Sequence, residues 1–548
     1  MKVLLLFVSG WLVAATACSQ TLTLTPVNAN GIYSLGAPIA WNVSFSGGTF
    51  TTGSYTIKQC GGTQIASGTI DLTKASPQVP AAALTEPGTL LAELKATPSG
   101  GTQLSALGGA IAEQNLIRPA LERPADFDTF WAAKIAALNA VPMNTVITQV
   151  DSGVANVLYY QLEFTNYNGQ KIYAQMARPV SGTKFPAIIS MQYAGVYALP
   201  KTNVTGDASN GWLAINVMAH PYPYDQPAQY YIDLQAVGAP LYNYTKIGYL
   251  SRDTSYFLGM YLGDVRAAAY ICSRSDWDGK TLVASGTSQG GCQAVMLAGL
   301  EPRISAVLAK VPAGAESVGN FYGRGQGWPY WTSTTDPNAA LIKETSRYFD
   351  ISNFAVRITA PTLIGMGLID TTCPPSGVSA MINALAGPKE IVISPLEGHS
   401  GALTYYGTRR GYWYNALKAG TAIPIANQLS APTVQATPIS DTSIQLHWTN
   451  NAATANGMVI EYSTTQGQGW QTLAQPAIGT TTYVQSGLTA STHYYYRVRA
   501  VAPPTAVPPV ATTMSPASDN VFASAVTQAV ATAPAPRIFY RLRINQAK

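Results

Sequence analysis

Between about residues 21 and 112 the chain repeats one pattern, short runs in which apolar and polar side chains alternate, separated by glycine turns. In the run 39–45, Ile39, Trp41, Val43 and Phe45 fall on one face and the chain turns at Gly47-Gly48; the run 90–96 turns at Gly100-Gly101 in the same way. Strict alternation over a few residues marks a strand with one buried face, so a succession of such runs predicts a small antiparallel Ig-like β-sandwich over 18–115. Trp41 and Tyr55 are expected in its core, where large aromatic rings bury most surface. From about residue 118 the pattern changes. Helical periodicity at 127–138, 256–271 and 289–300 alternates with runs that are apolar throughout, at 186–191, 213–217, 281–284, 361–366 and 390–393. Continuous apolar runs between helices fit strands covered on both faces of a parallel sheet, so 116–425 reads as an α/β domain. Alternation returns near 431, with landmarks at Pro432, Trp448, Tyr462, Leu488 and Tyr494. A second β-sandwich is expected over 430–528, then an Ala/Pro linker and a basic tail over 529–548. The stretch 537–548 alternates Ile538, Tyr540, Leu542 and Ile544 with Arg541 and Arg543; a docked strand and a sorting or anchoring tail both fit it.

Length agrees with that division, since 548 residues exceed one compact core. Apolar residues at 47% supply enough surface to bury and exclude wholesale disorder. Only 11% of residues are charged, the net charge is +5, and no basic cluster precedes the tail, which argues against a nucleic-acid partner. A neutral surface rich in hydroxyls, amides and aromatic rings suits uncharged polymers. Lys2, the apolar stretch 3–15 and Ala15-Thr16-Ala17 make a signal peptide over 1–17, predicting a secreted protein, extracellular or periplasmic. Cys18 directly follows the cleavage site, so lipid anchoring stays open beside plain cleavage. No later run reaches the ~18 apolar residues of a transmembrane segment. Cys18, Cys60, Cys272, Cys292 and Cys373 are dispersed with no C-x-x-C pair, and neither a disulfide scaffold nor a zinc site is predicted.

The chemistry is carried by Gly286-Thr287-Ser288-Gln289-Gly290, a G-x-S-x-G pattern between a predicted buried strand and a predicted helix. A serine hydroxyl is a weak nucleophile until a base takes its proton, and a sharp strand-to-helix turn lifts Oγ to where base and substrate reach it. The glycines leave room for the crowded backbone. With His447 and His493 falling in the terminal sandwich, the α/β domain holds His220 and His399. His399 lies past a predicted strand and downstream of Ser288, the chain order of an α/β-hydrolase base, whereas His220 precedes the serine. Asp370, at a strand end between Ser288 and His399, is the expected acid that orients the imidazole. Asp350 competes for that role, but it precedes a loop.

Two stretches resemble known families. The segment 430–528 resembles a fibronectin type III domain, Leu488-x-x-x-Thr492-x-Tyr494 matching its tyrosine corner. Phe127-Asp128-x-x-Trp131 after Arg123-Pro124, Gly286 to Gly291, Tyr348-Phe349-Asp350 with Asn353-Phe354-Ala355, Gly367-Leu368-Ile369-Asp370-x-x-Cys373-Pro374-Pro375-Ser376 and Ala386-Gly387-Pro388-Lys389-Glu390-Ile391 together resemble the acetyl xylan esterase and cephalosporin-C deacetylase family over about 118–413. The resemblance implies an α/β-hydrolase catalytic domain flanked by the two sandwiches, with Ser288 as nucleophile, Asp370 as acid, His399 as base, and an oxyanion hole made by the backbone N–H groups of Gln289 and Val196. It implies a secreted serine esterase that deacetylates plant oligosaccharides or polysaccharides such as acetyl-xylan without cofactor or metal, and it leaves an oligomer open. Three departures from the family pattern are visible. Met218-Ala219-His220-Pro221-Tyr222 stands where the family has Arg-Gly-Gln, so that His220 either fills the missing role or packs as a loop histidine. Ser400 rather than Glu follows His399, the nearby acid being Glu397. Val196 replaces an aromatic residue, which changes the wall of the acyl pocket. Two other functions stay open, a broad esterase or peptidase on the same fold and an inactive hydrolase-like protein that holds carbohydrate. The sandwiches are expected to act as spacers.

Overall fold

The computed structural model describes residues 20–426, 429, 432–452, 455–465 and 469–502, with strand pieces at 505–506, 509–510, 513–514 and 521–524. The expected signal segment, Cys18, the linker and the basic tail lie outside the described residues.

The apolar runs form the strands Phe185–Met191, Leu213–Val217, Trp277–Thr287, Thr362–Gly367 and Lys389–Ser394, and with Ala306–Lys310 these make the parallel part of one large sheet. Why the runs are apolar without interruption is visible in where neighbours go. Ile189, Ala284 and Ile364 enter one buried cluster while Ile188, Val283 and Leu363 enter another across the sheet, so both faces of every strand are covered. The helices Tyr256–Ser273, Gln289–Leu300 and Pro375–Ala384 pack on the first face, and Thr202–Ser209 and Thr404–Ala419 on the second. Three antiparallel strands, Val146–Val150, Val157–Thr165 and Lys171–Pro179, extend the sheet beyond Leu213–Val217. Phe185–Met191 lies between Leu213–Val217 and Trp277–Thr287. The chain therefore leaves this strand to one side and returns on the other, a switch point at which the loops diverge and open a crevice at the strands' C-terminal ends.

Before this domain, two sheets enclose a separate buried cluster around Trp41, Val79, Leu90 and Leu94. One contains Thr21–Pro26, Ile39–Ser46 and Gln78–Ala82; the other orders Ile32–Tyr33, Leu104–Ala112, Gly88–Ala96, Thr52–Gln59 and Thr63–Asp71. Trp41 is fully buried, and Ile39 and Val43 share its inward face. After the domain, Thr433–Ser440, Ser443–Thr449 and Thr482–Gln485 face a sheet built on Gly457–Ser463 and His493–Ala502, with Trp448, Ile460 and Tyr496 in the core. The Tyr494 hydroxyl accepts from Thr489 N–H at 3.0 Å, tying the loop before its own strand back onto the sheet. The three units touch. Arg118 pairs with Glu461, which Arg497 and Arg499 also contact at 2.6 and 3.0 Å, and Val510 pairs with Val392 at the edge of the large sheet. Among the described residues no helix is long and apolar enough to cross a membrane.

Candidate active site

Ser288 closes the strand Trp277–Thr287 and caps the helix Gln289–Leu300 with φ 57° and ψ −121°. A serine holds that left-handed backbone only when its surroundings impose it. Its N–H donates to the Lys310 carbonyl at 2.9 Å and its carbonyl accepts from Ala313 N–H at 3.0 Å. The flanking glycines are required by contact: a methyl group on Gly286 would lie 2.2 Å from the Gly290 carbonyl, and one on Gly290 2.5 Å from the Met191 oxygen.

The crevice brings three distant segments together. Ser288 Oγ lies 2.9 Å from His399 Nε2, and His399 Nδ1 lies 2.9 Å from Asp370 Oδ2. The other oxygen of Asp370 accepts from the N–H groups of Thr372 and Cys373, both at 2.8 Å. An ionised carboxylate can only accept, so the tautomer with Nδ1–H leaves Nε2 free to accept from the serine hydroxyl. Asp370 is 3% exposed and Ser288 8%, which keeps the pair in a low-dielectric setting while the crevice stays open at His399. Lys310 links Ser288 to the loop of His399, because its carbonyl receives Ser288 N–H while its ammonium donates to the Gly401 carbonyl at 2.9 Å. Asp350 lies elsewhere: it caps the short helix Ile351–Ala355 through Ser352 N–H at 2.9 Å and accepts from Glu316 N–H at 2.8 Å. Asp370, Cys373 and His399 are the one set of metal-ligating atoms that converges among the described residues, within 4.8 Å of one another. Burial, reinforced by the Asp370 charge, pushes the Cys373 thiol well above its ordinary value.

The loop after Phe185–Met191 reaches the same spot. Neither Val196 N–H nor Gln289 N–H is taken by a protein acceptor among the described residues, and Gln289 opens its helix, where amides point outward. Val196 itself is buried in the main cluster. Tyr244 ties the two segments together: its hydroxyl donates to Gln289 Oε1 at 2.6 Å and accepts from Gly195 N–H at 3.3 Å. His220 Nε2 lies 3.0 Å from the Gly195 carbonyl and its Nδ1 2.7 Å from the Tyr256 hydroxyl. Burial pushes the His220 imidazole down to about 4, so the neutral ring donates from Nε2 and accepts from Tyr256. His220 thus bridges the Gly195 carbonyl and the Tyr256 hydroxyl from a buried position. Tyr244 and Tyr256 have no local sequence signal; Tyr244 reaches the loop directly and Tyr256 through His220, and both are recognisable only by their contacts.

The sequence model of the family described as acetyl xylan esterase matches residues 110–417, and that of the fibronectin type III domain matches residues 430–510. The chain is 29% identical over 286 residues to the acetyl esterase Axe7A of Xylanibacter ruminicola, an alignment that covers 52% of this chain and 65% of that protein. It thus spans 65% of the length of this curated relative. Among solved structures it is similar to an acetyl xylan esterase from Paenibacillus sp., at 25% identity and TM-score 0.48, covering 56% of this chain and 98% of that one. It is also similar to acetyl xylan esterase 1 from Thermoanaerobacterium sp., at 21% identity and TM-score 0.47, with coverage of 56% and 98%.

Proposed function

The chain belongs to the acetyl xylan esterase family, and from that premise we propose that it is a serine carboxylic ester hydrolase that removes acetyl groups from acetylated xylan and its oligosaccharides. The observation that carries this reading is the continuous relay from Ser288 through His399 to Asp370, 2.9 Å at each step. As Ser288 Oγ adds to the acetyl carbonyl carbon, its proton passes to His399 Nε2 and the carbonyl π pair moves onto oxygen, which the N–H groups of Gln289 and Val196 hold. The imidazolium, stabilised by Asp370, gives that proton to the sugar oxygen as its bond to the acyl carbon breaks. Acetyl-Ser288 and a free sugar hydroxyl result. Water, deprotonated by His399, then adds to the acyl carbon, and collapse returns the proton to Ser288 Oγ and releases acetate.

A sugar ring as the leaving group is supported by the surface beside the relay. Tyr193 is 56% exposed and stacks on Tyr197 with centroids 4.7 Å apart. Tyr330 is 41% exposed, and its hydroxyl donates to the Thr372 carbonyl at 3.3 Å, next to the Asp370 loop. Apolar ring faces with polar edges suit the alternating C–H and hydroxyl surface of a pyranose. We read segment 1–17 as an export signal and the N-terminal unit as an Ig-like β-sandwich. The test compares acetate release from acetylated xylan and from aryl acetates by the wild type and Ser288→Ala. The wild type should act on both and the variant on neither. Turnover by Ser288→Ala removes the mechanism, and wild-type action on aryl acetates alone removes the polysaccharide.

A further inference from the structure

We propose that the N-terminal β-unit positions the acid of the relay through two backbone contacts: the backbone of Gly109 and the Cys60 turn set the position of the loop that carries Asp370. The inference rests on Asp370 serving as the acid, and it revises the expectation that the sandwiches are spacers.

Successive residues of a strand face opposite sides, and the pair Gly108-Gly109 uses both. A methyl group on Gly108 would lie 2.5 Å from the Trp41 ring, inside the unit, whereas one on Gly109 would lie 2.4 Å from the Leu368 carbonyl oxygen and 2.5 Å from its carbonyl carbon. Backbone therefore meets backbone there, two residues before Asp370. Trp41 Nε1 reaches the Gly109 carbonyl at 3.5 Å and holds the strand from behind. Leu368 in turn donates its N–H to the Ser394 carbonyl at 3.1 Å, and Ile369 N–H reaches the Glu397 carbonyl at 3.3 Å, so the same short segment also borders the loop of His399. Ile32 and Ile111, which belong to paired strands of the N-terminal unit, are buried in the core cluster of the α/β domain.

A second grip lies on the other side of Asp370. The Cys60 carbonyl accepts from Gly325 N–H at 2.6 Å and from Ser376 Oγ at 3.4 Å. Thr63 N–H donates to the Gly323 carbonyl at 3.0 Å, and Trp328 N–H to the Thr372 carbonyl at 2.8 Å. A methyl group on Gly62 would sit 2.3 Å from the Gly323 oxygen, so this contact too is backbone on backbone. A cleft of about 110 Å³ remains between the grips, bounded by Leu91, Gln326, Asp370 and Pro374. These residues act through Asp370 and are positioning residues.

The test uses the full chain with aryl acetate. Gly109→Ala must push the Leu368 backbone, and a displaced catalytic group costs about 10- to 100-fold. We expect that loss in kcat with KM little changed, and the acid limb of kcat/KM moved to lower pH, because a displaced carboxylate stabilises the imidazolium less. His399, Cys373 and Tyr330 are the titratable groups that face Asp370. Ser376→Ala removes one bond without adding volume and should shift the same readings in the same direction by about twofold to fivefold. Val79→Ala, in the buried core of the N-terminal unit, should lower the melting temperature yet leave kcat and the limb at wild-type values. If Gly109→Ala does not fold, Ser376→Ala decides. Wild-type kcat and an unmoved limb in the folded Gly109 and Ser376 variants overturn the inference, as does an equal loss in Val79→Ala. Ser288→Ala, measured alongside, separates this failure from failure of the serine mechanism, which would show as retained turnover.

Discussion

Ser288 is held at a φ that costs energy for any side-chain-bearing residue, and the cost is offset by two backbone hydrogen bonds and by glycines that let the turn close. The two aspartates considered as acids differ in what their oxygens reach. Asp370→Asn should retain geometry while favouring the wrong imidazole tautomer, lowering kcat by about 10⁴-fold. Asp350→Ala should cost about 1 kcal/mol of stability through the lost helix cap and leave most of the turnover. The check is kcat on aryl acetate together with denaturant midpoints, and a loss under about tenfold in Asp370→Asn would remove it as the acid. His220 makes stability depend on pH. Its folded imidazole is pushed from 6.5 down to about 4 by burial, so between these values the unfolded chain binds a proton that the folded chain does not. Stability is therefore full above about pH 6.5 and falls as pH drops toward 4, by about 3 kcal/mol at about 1.4 per unit. Unfolding midpoints measured across this range should show that slope, and His220→Gln should flatten it.

At the scale of elements, the crevice exists because two adjacent parallel strands send their loops apart at the switch point, one carrying Ser288 and the other Val196. Holding those loops in register is the task of the short helical turn Tyr244–Lys246, whose tyrosine hydroxyl touches both. Tyr244→Phe keeps the ring in its buried place and removes only the bridge. Loss of a whole oxyanion donor costs about 10² to 10³ in kcat. A donor left in place but unheld should cost less, and we expect about tenfold in kcat with KM nearly constant. Steady-state kinetics on acetyl and butyryl aryl esters would check this. An equal fall in stability without any change in kcat would assign the hydroxyl to folding alone.

At the scale of the molecule, the fibronectin type III unit is not a pendant module. Its Glu461 is fully buried against Arg118 of the segment that enters the α/β domain. Burial pushes the Glu461 carboxyl up, but Arg497, Arg118 and Arg499 outweigh it and hold the group well below the usual carboxylate range. Lys389, also buried, donates to the carbonyls of Ile382 and Leu385 at 2.8 and 3.5 Å, and burial followed by the neighbouring arginines pushes its ammonium well down. Glu461→Gln would leave these cations facing one another, and removing one partner of a buried ion pair costs about 3 to 5 kcal/mol. Chemical denaturation should show that loss, with kcat on aryl acetate retained well below the transition. A chain ending near residue 428 should keep turnover of small esters at low temperature, since the relay lies before that point. It should nevertheless melt earlier than the whole protein, because the cut exposes Arg118 and the edge strand Lys389–Ser394.

Local pattern was enough to locate the elements and the three residues that the crevice brings together. The continuous apolar run at 213–217 and the helical periodicity at 289–300 became Leu213–Val217 and Gln289–Leu300, because a strand covered on both faces and a helix packed on a sheet must each be written into consecutive residues. Ser288 was legible because the turn that exposes it demands glycines at fixed offsets, and His399 and Asp370 because chain order in this fold follows strand order. Other features depend on residues far apart in the chain and carry no local signature. Tyr244 and His220 hold the Gly195 loop by side-chain reach across segments, and the buried cations around Glu461 are scattered singly through a weakly charged sequence. Gly109 reads as one more strand glycine until Leu368 is set against it. Hydrophobic periodicity records which face of an element is buried, but only the tertiary structure decides what that face is buried against.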